Sequence, residues 1–174
     1  MRFTAISAAL ALMLLSVSSA LVAQRPDDQI NPRSIALVSE GRAAQTAGNF
    51  DRATDAYESA LAIDPRNREA FTALAEVANA RGLPGKAIRM YGEALRLEPN
   101  DVQALRGQGV AMVQKGAVER ANQNLAKIKT ICGTKACADG TILAAAIAKG
   151  PPVTTTAAAE PTPATPDKPE ASKQ

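Results

Sequence analysis

Residues 43–65 read AAQTAGNFDRATDAYESALAIDP, and residues 77–99 read VANARGLPGKAIRMYGEALRLEP, so similar residue types recur 34 residues apart. A period of this length is typical of stacked helical hairpins, each too small to bury its apolar face alone. Such a stack has a concave surface that commonly binds another protein. A third, weaker copy follows, and the shared slots hold Gly48, Gly82 and Gly116; Ala53, Ala87 and Ala121; Tyr57, Tyr91 and Leu125; Ala60, Ala94 and Ile128; and Pro65, Pro99 and Gly133.

The residues between these slots predict where helices begin and end. Each repeated glycine follows a first helix, because the residue past a helix C-terminus often adopts the left-handed conformation. Pro65 and Pro99 end second helices, and Asn67 and Asp101 are expected to cap the helices that follow. The predicted helices cover residues 32–47 and 50–63, 67–81 and 84–97, 101–115 and 117–131, and a last helix at 139–149.

The repeated pattern resembles the tetratricopeptide repeat (TPR) family, most closely from Ala43 to Pro65 and from Phe71 to Pro99. In the third unit Leu125 replaces the aromatic residue and Gly133 replaces the proline, so the match is weaker there. The resemblance implies an all-α fold, an α-solenoid of about three TPR helix-turn-helix hairpins plus a C-terminal capping helix. It implies a scaffold that binds a protein or peptide partner, without naming that partner.

In this family the first helix of each hairpin lines the concave face, which gives a candidate partner-binding groove. The carboxylate clamp known in the family is not reproduced, since Val38 and Arg42 occupy the slots for its lysine and asparagine. A groove of mixed character suits an extended or helical peptide better than a free carboxylate. A second interpretation stays open, in which these are ordinary solvated residues and binding uses the convex side or an edge. The candidate groove residues are Val38, Arg42, Gln45, Thr72, Glu76, Asn79, Arg106, Val110 and Val113.

Cys132 and Cys137 are the only cysteines, and in an exported chain, which the N-terminal sequence predicts, their even number favours a structural disulfide. The bridge would hold the end of the third hairpin to the last helix, which would cap the final apolar face. A redox-active pair is a weaker interpretation, because such pairs usually have a two-residue spacer. A metal site is weaker still, since the chain contains no histidine.

The N-terminus predicts export. Met1 and Arg2 precede an apolar run over residues 5–17 and the small residues before Ala20, as in a signal peptide cleaved after Ala20. An uncleaved inner-membrane anchor is the second choice. The predicted divisions are a signal peptide at 1–20, a polar leader at 21–31, the repeat domain with its capping helix at 32–149, and a disordered Pro/Ala/Thr-rich tail at 150–174.

Composition argues against several other functions. The net charge is only +3 and aromatic residues make up 3%, which does not favour nucleic-acid binding. Without histidine, a phosphate-binding loop or a nucleophile elbow, the chain is not expected to be an enzyme, to bind a cofactor or to take a small-molecule substrate. We therefore expect a periplasmic adaptor that assists assembly of a secretion, pilus or other envelope complex. The alternative is a structural spacer that associates with itself.

Overall fold

The computed structural model describes residues 29–133 and 137–152, and within these residues the chain is helical with no strand. The predicted signal peptide, most of the polar leader and most of the tail lie outside the described residues. Among the described residues, none of the helices combines the length and hydropathy needed to cross a membrane. The helices are α1 Pro32–Thr46, α2 Phe50–Ile63, α3 Arg68–Ala80, α4 Pro84–Leu97, α5 Val102–Gln114, α6 Val118–Cys132 and α7 Ala138–Lys149.

The helices begin and end close to the cap and stop residues predicted from the sequence. Gly48, Gly82 and Gly116 all have positive φ values, at 76°, 69° and 78°, and each lies just past a first helix. Asn67 and Asp101 cap α3 and α5, since their side chains accept hydrogen bonds from backbone N–H groups three residues later, at 3.2 and 3.0 Å. The caps themselves lie outside the helices, so α3 and α5 begin one residue after the predicted starts.

The helices form two layers. Each hairpin pairs a first helix with a second helix, and the first helices α1, α3, α5 and α7 also contact one another in order. They make an inner layer, and α2, α4 and α6 make an outer layer. The all-α hairpin stack predicted from the 34-residue period is therefore confirmed.

Helix α7 occupies the position that the first helix of a fourth hairpin would take. It packs on both α5 and α6. Leu143 is fully buried, and its side chain fills the space above Gly109, where a Cβ would overlap it. Asp139 accepts a hydrogen bond from Arg106 Nε at 2.7 Å, which ties the start of α7 to α5. The predicted capping role of the last helix is confirmed.

Polar contacts between residues 33 apart join successive hairpins. Ser34 Oγ accepts a hydrogen bond from Asn67 Nδ2 of the next hairpin at 2.8 Å, and it also donates to the Ala60 carbonyl of its own hairpin at 2.8 Å. One hairpin further, Arg68 forms an ion pair with Asp101. The residue that caps each next first helix therefore also contacts the first helix before it. These contacts set the stacking register of the inner layer.

Candidate binding groove

The predicted groove residues all lie on α1, α3 and α5, but two of them are not surface residues. Val38 is 2% exposed and Val113 is 4% exposed. Val38 belongs to the core cluster around Tyr57, and Val113 packs with Met112 and Ala121. The prediction that Val38 lies open on the groove is wrong, because its side chain faces the joint with the outer layer. Val113 is also largely buried, but it contributes to the wall of an apolar cavity on the inner layer.

The middle of the inner layer contains a polar cavity of about 570 Å³. Three predicted residues, Arg42, Gln45 and Glu76, lie in its wall. The other lining residues were not predicted: Thr46, Phe50 and Gln103. Gln103 lies in the first turn of α5, one turn before Arg106, so it could have been found by extending the same helix face backward. Thr72 makes a different contact, since its hydroxyl donates to the Arg68 carbonyl of its own helix at 3.2 Å.

Charges of both signs surround this cavity. Burial raises the pKa of the Glu76 carboxyl, and the nearby Arg42 and Arg106 guanidinium groups oppose that rise. Each arginine also has an acidic partner, Glu69 at 2.5 Å from Arg42 and Asp139 at 2.7 Å from Arg106. The Arg42 pair is largely exposed and contributes little to stability. A ligand with an acidic group can therefore recruit Arg42 at low cost.

Two tyrosines lie beneath the groove. The Tyr57 hydroxyl donates to Gln45 Oε1 at 2.8 Å, which holds that side chain in the cavity wall. Burial raises the pKa of Tyr57, and it raises the pKa of Tyr91 to about 12. Both hydroxyls remain protonated at neutral pH.

A second cavity, apolar and about 790 Å³ in volume, lies where α3, α5 and the end of α7 meet. Val110 and the edge of Val113 line it, with Asn79 on the α3 side. Pro151 and Pro152 complete the wall on the other side. Asn79 lies one turn after Glu76 on α3, so each cavity has a wall residue on the same helix, one turn apart.

The Oδ1 atom of Asn79 is the one buried side-chain polar atom without a hydrogen-bond partner among the described residues. A buried acceptor without a donor costs about 1–3 kcal/mol, which a backbone N–H of a bound chain would recover. This atom gives the groove a preference for a ligand that brings a hydrogen-bond donor to the edge of the apolar cavity.

The two cysteines lie at the junction of α6 and α7. Their sulfur atoms are adjacent and their Cα atoms are 6.0 Å apart, within the range that a disulfide spans. Formation of the bond in the cell stays a prediction. Over residues 29–133 and 137–152, no cluster of three histidine, cysteine or acidic side chains could hold a metal ion.

Sequence comparison identifies the repeats. Residues 44–108 match the tetratricopeptide repeat family. Over 94 residues the chain is 34% identical to the photosystem I assembly protein Ycf3 of Acaryochloris marina (strain MBIC 11017). That alignment covers 52% of this chain and 57% of Ycf3, so the chain spans little more than half the length of this curated relative.

Solved TPR domains share the architecture. The Sgt2 TPR domain from Aspergillus fumigatus superposes with a TM-score of 0.64 at 25% identity, covering 72% of this chain and 83% of that domain. The first TPR domain of Spaghetti (RPAP3), bound to the HSP90 peptide SRMEEVD, superposes with a TM-score of 0.61 at 19% identity. That match covers 67% of this chain and 91% of the Spaghetti domain. The second TPR domain of human RPAP3, bound to the HSP70 peptide SGPTIEEVD, superposes with a TM-score of 0.61 at 17% identity. That match covers 67% of this chain and 95% of the RPAP3 domain.

Proposed function

We propose that the chain, a tetratricopeptide repeat protein, is an adaptor whose inner helical layer binds a peptide segment of a partner protein. The single observation that carries this proposal is the groove itself. A polar cavity with charges of both signs and an apolar cavity both lie on the inner layer, and the buried Asn79 acceptor is in the wall of the apolar one. An extended segment with one apolar residue and a nearby charged residue would fit both parts.

The comparisons support an assembly role of this kind. The relative Ycf3 is named as an assembly protein, and two of the structural neighbours hold peptides of partner proteins. Their peptides both end in EEVD. In this chain Val38, at a slot that the carboxylate clamp fills with lysine, is buried. We therefore propose an internal peptide segment as the ligand, and not a free C-terminus.

We propose that the adaptor works in the bacterial envelope and assists assembly of a secretion, pilus or other envelope complex. Support comes from the N-terminal sequence, with its basic start, apolar run and small residues before Ala20. The mass of the native protein tests this directly. A chain beginning at Leu21 in the periplasmic fraction would support export, and a chain that keeps residues 1–20 in the membrane fraction would favour the uncleaved anchor.

Capture from the native envelope tests whether the groove binds a partner. The groove variant Arg42→Glu with Gln103→Glu changes two exposed side chains of the polar cavity. The matched control, Arg89→Glu with Gln123→Glu, makes the same charge change on exposed residues of α4 and α6. We expect the unmodified chain and the control to retain a partner that the groove variant loses, with all three equally helical by circular dichroism. Equal capture by all three would remove the groove as the binding face.

Self-association is the second candidate, and a specific feature favours it. Ile131 and Ile142 are 38% and 49% exposed on α6 and α7, at the C-terminal end of the stack. Two large apolar side chains there could support end-to-end packing of two copies. Sedimentation velocity over a hundredfold concentration range distinguishes the two functions. Association that is abolished by Ile142→Lys, together with no captured partner, would favour the spacer over the adaptor.

A further inference from the structure

The apolar cavity lies where the described part of the chain ends. Pro151 and Pro152 form part of its wall, beside Val110 and Asn79 on the inner layer. The remaining 22 residues, 153–174, therefore continue directly from the groove. A segment attached at the edge of a binding site has an effective concentration in the millimolar range, so even weak contacts can keep it there.

The first part of this segment matches the groove in chemistry. Residues 153–160 read VTTTAAAE, with one larger apolar residue at the start and one acidic residue at the end. Val153 is the next residue in the chain after Pro152, which forms part of the cavity wall. The threonines and alanines between are small, and each has a backbone N–H, the kind of donor that Asn79 Oδ1 lacks.

The reach of residues 153–160 also agrees with the width of the inner layer. Glu160 follows Pro152 by eight residues, and an extended chain advances about 3.3 Å per residue, so Glu160 can lie about 26 Å away. From α7 across α5 and α3 to α1 there are three helix spacings of about 8–10 Å each, or about 24–30 Å. An extended segment that crosses the inner layer therefore brings the Glu160 carboxylate to α1. Arg42 lies there in the wall of the polar cavity.

We propose that residues 153–160 of the chain occupy its own groove, with Val153 at the apolar cavity and Glu160 beside Arg42. The tail then acts as an intramolecular competitor of the partner peptide, and a partner must displace it. Docking of the tail concerns the same groove as the proposed function, but it can be observed without any partner.

Nuclear magnetic resonance of the labelled chain from Leu21 to Gln174 tests this directly. The comparison chain carries a Gly/Ser sequence of equal length in place of residues 153–174. We expect the backbone amide signals of groove residues, Gln45, Glu76 and Val110 among them, to differ between the two chains, while those of α2 and α4 agree. The difference must be independent of protein concentration, as it is for an intramolecular contact.

A synthetic peptide of residues 153–174, added to the Gly/Ser chain, provides the matched control. It should reproduce the groove shifts at roughly millimolar concentration. The Glu160→Gln peptide should bind about two- to fivefold more weakly, as expected for loss of one exposed ion pair. Identical groove signals in the two chains would overturn the proposal. Shifts confined to the Ile131 and Ile142 end, or shifts that grow with protein concentration, would overturn it in favour of self-association.

The outcomes separate this inference from the adaptor function. If the tail does not dock, the groove variants can still lose a captured partner. If no partner is captured, the amide shifts can still show an occupied groove. If the tail docks and the groove also captures a partner, the Gly/Ser chain should capture more partner than the unmodified chain, because it has no competing tail.

Discussion

At the scale of single residues, close packing of the two layers depends on glycines that lie under tyrosine rings. A Cβ on Gly41 would overlap the ring of Tyr57, and a Cβ on Gly107 would overlap the ring of Tyr91. Tyr57 is fully buried and its hydroxyl is held by Gln45, so the ring cannot move aside cheaply. These two glycines are required for space, since neither has a positive φ.

The Gly41→Ala substitution should destabilise the stack by about 1–2 kcal/mol. Alanine favours a helix by about 0.5–1 kcal/mol over glycine, but overpacking against a buried ring costs about 1–3 kcal/mol. Gly92→Ala is the control, because its Cβ would meet only Gln108 Nε2 at 3.6 Å. That variant should be more stable by about 0.5–1 kcal/mol. Urea unfolding of both variants checks the prediction, and equal stabilities would contradict it.

Asp64 makes stability depend on pH. Its carboxylate accepts hydrogen bonds from the backbone N–H groups of Asn31 and Arg66, at 2.8 and 3.0 Å. The bond from Asn31 is the main cause that lowers the pKa of Asp64, and burial opposes it. A lowered pKa means that the folded state binds fewer protons, so this stabilisation is present above the unfolded pKa of about 3.9 and is lost as the pH falls through the folded pKa.

We therefore expect Asp64→Asn to reduce the acid sensitivity of the chain. At pH 6 the variant should be less stable by about 1 kcal/mol, because a charged acceptor is replaced by a neutral one. Between pH 6 and pH 3 its free energy of unfolding should fall less than that of the unmodified chain. Chemical unfolding of both chains at the two pH values measures the difference. An equal fall in both chains would show that Asp64 does not contribute.

Single residues differ in how far the sequence alone predicts them. The caps Asn67 and Asp101 could be found because their backbone partners lie three residues away. The role of Ser34 could not be found from the sequence, because its hydrogen-bond partners are distant in the chain. Ala60 lies on the other helix of the same hairpin, and Asn67 lies at the start of the next hairpin. A serine in the first turn of a helix gives no signal of such a contact.

At the scale of helices, the capping helix α7 is attached to the stack at two places. Leu143 is buried under α5 and α6, and Asp139 pairs with Arg106. The Cys132–Cys137 bond, if it forms, joins α6 to the start of α7. The apolar character of residues 139–149 was sufficient to predict a cap, since the last hairpin of a stack needs one.

Loss of the cysteine bond should loosen this junction. We expect Cys132→Ser with Cys137→Ser to lower the free energy of unfolding by up to about 2 kcal/mol, the loop-entropy value for so short a loop. A reducing agent should cause the same loss in the unmodified chain and none in the double variant. Urea unfolding measures both effects. Native protein whose two thiols react with a maleimide before reduction would contradict the bond.

Helix faces are harder to predict than helices. Each residue turns about 100° around the helix axis, so a face assigned from packing neighbours is uncertain by one position at its edges. Val38 and Val113 were placed on the groove for this reason and are buried. Arg42, Gln45 and Glu76, nearer the centre of the same face, do line the polar cavity. The centre of the groove was predictable, but its borders depend on how the layers curve.

At the scale of the whole molecule, the repeat predicts the fold. The groove indicates only the class of function, the binding of a peptide, and does not identify the partner. The 34-residue period specifies hairpins, their order and their concave side. Partner identity depends on side chains that differ between members of one fold, so the period carries no information about it. The predicted export and the proposed docking of residues 153–160 concern segments outside the repeats.

The central claim is that a partner lies against the inner layer, and site-specific photocrosslinking tests it most directly. A benzophenone amino acid at Gln103 would lie in the polar cavity, and one at Gln123 would lie exposed on α6. In the native envelope we expect a crosslinked partner from position 103 and none from position 123. Crosslinks from position 123 alone would contradict the account and place the binding face on the outer layer.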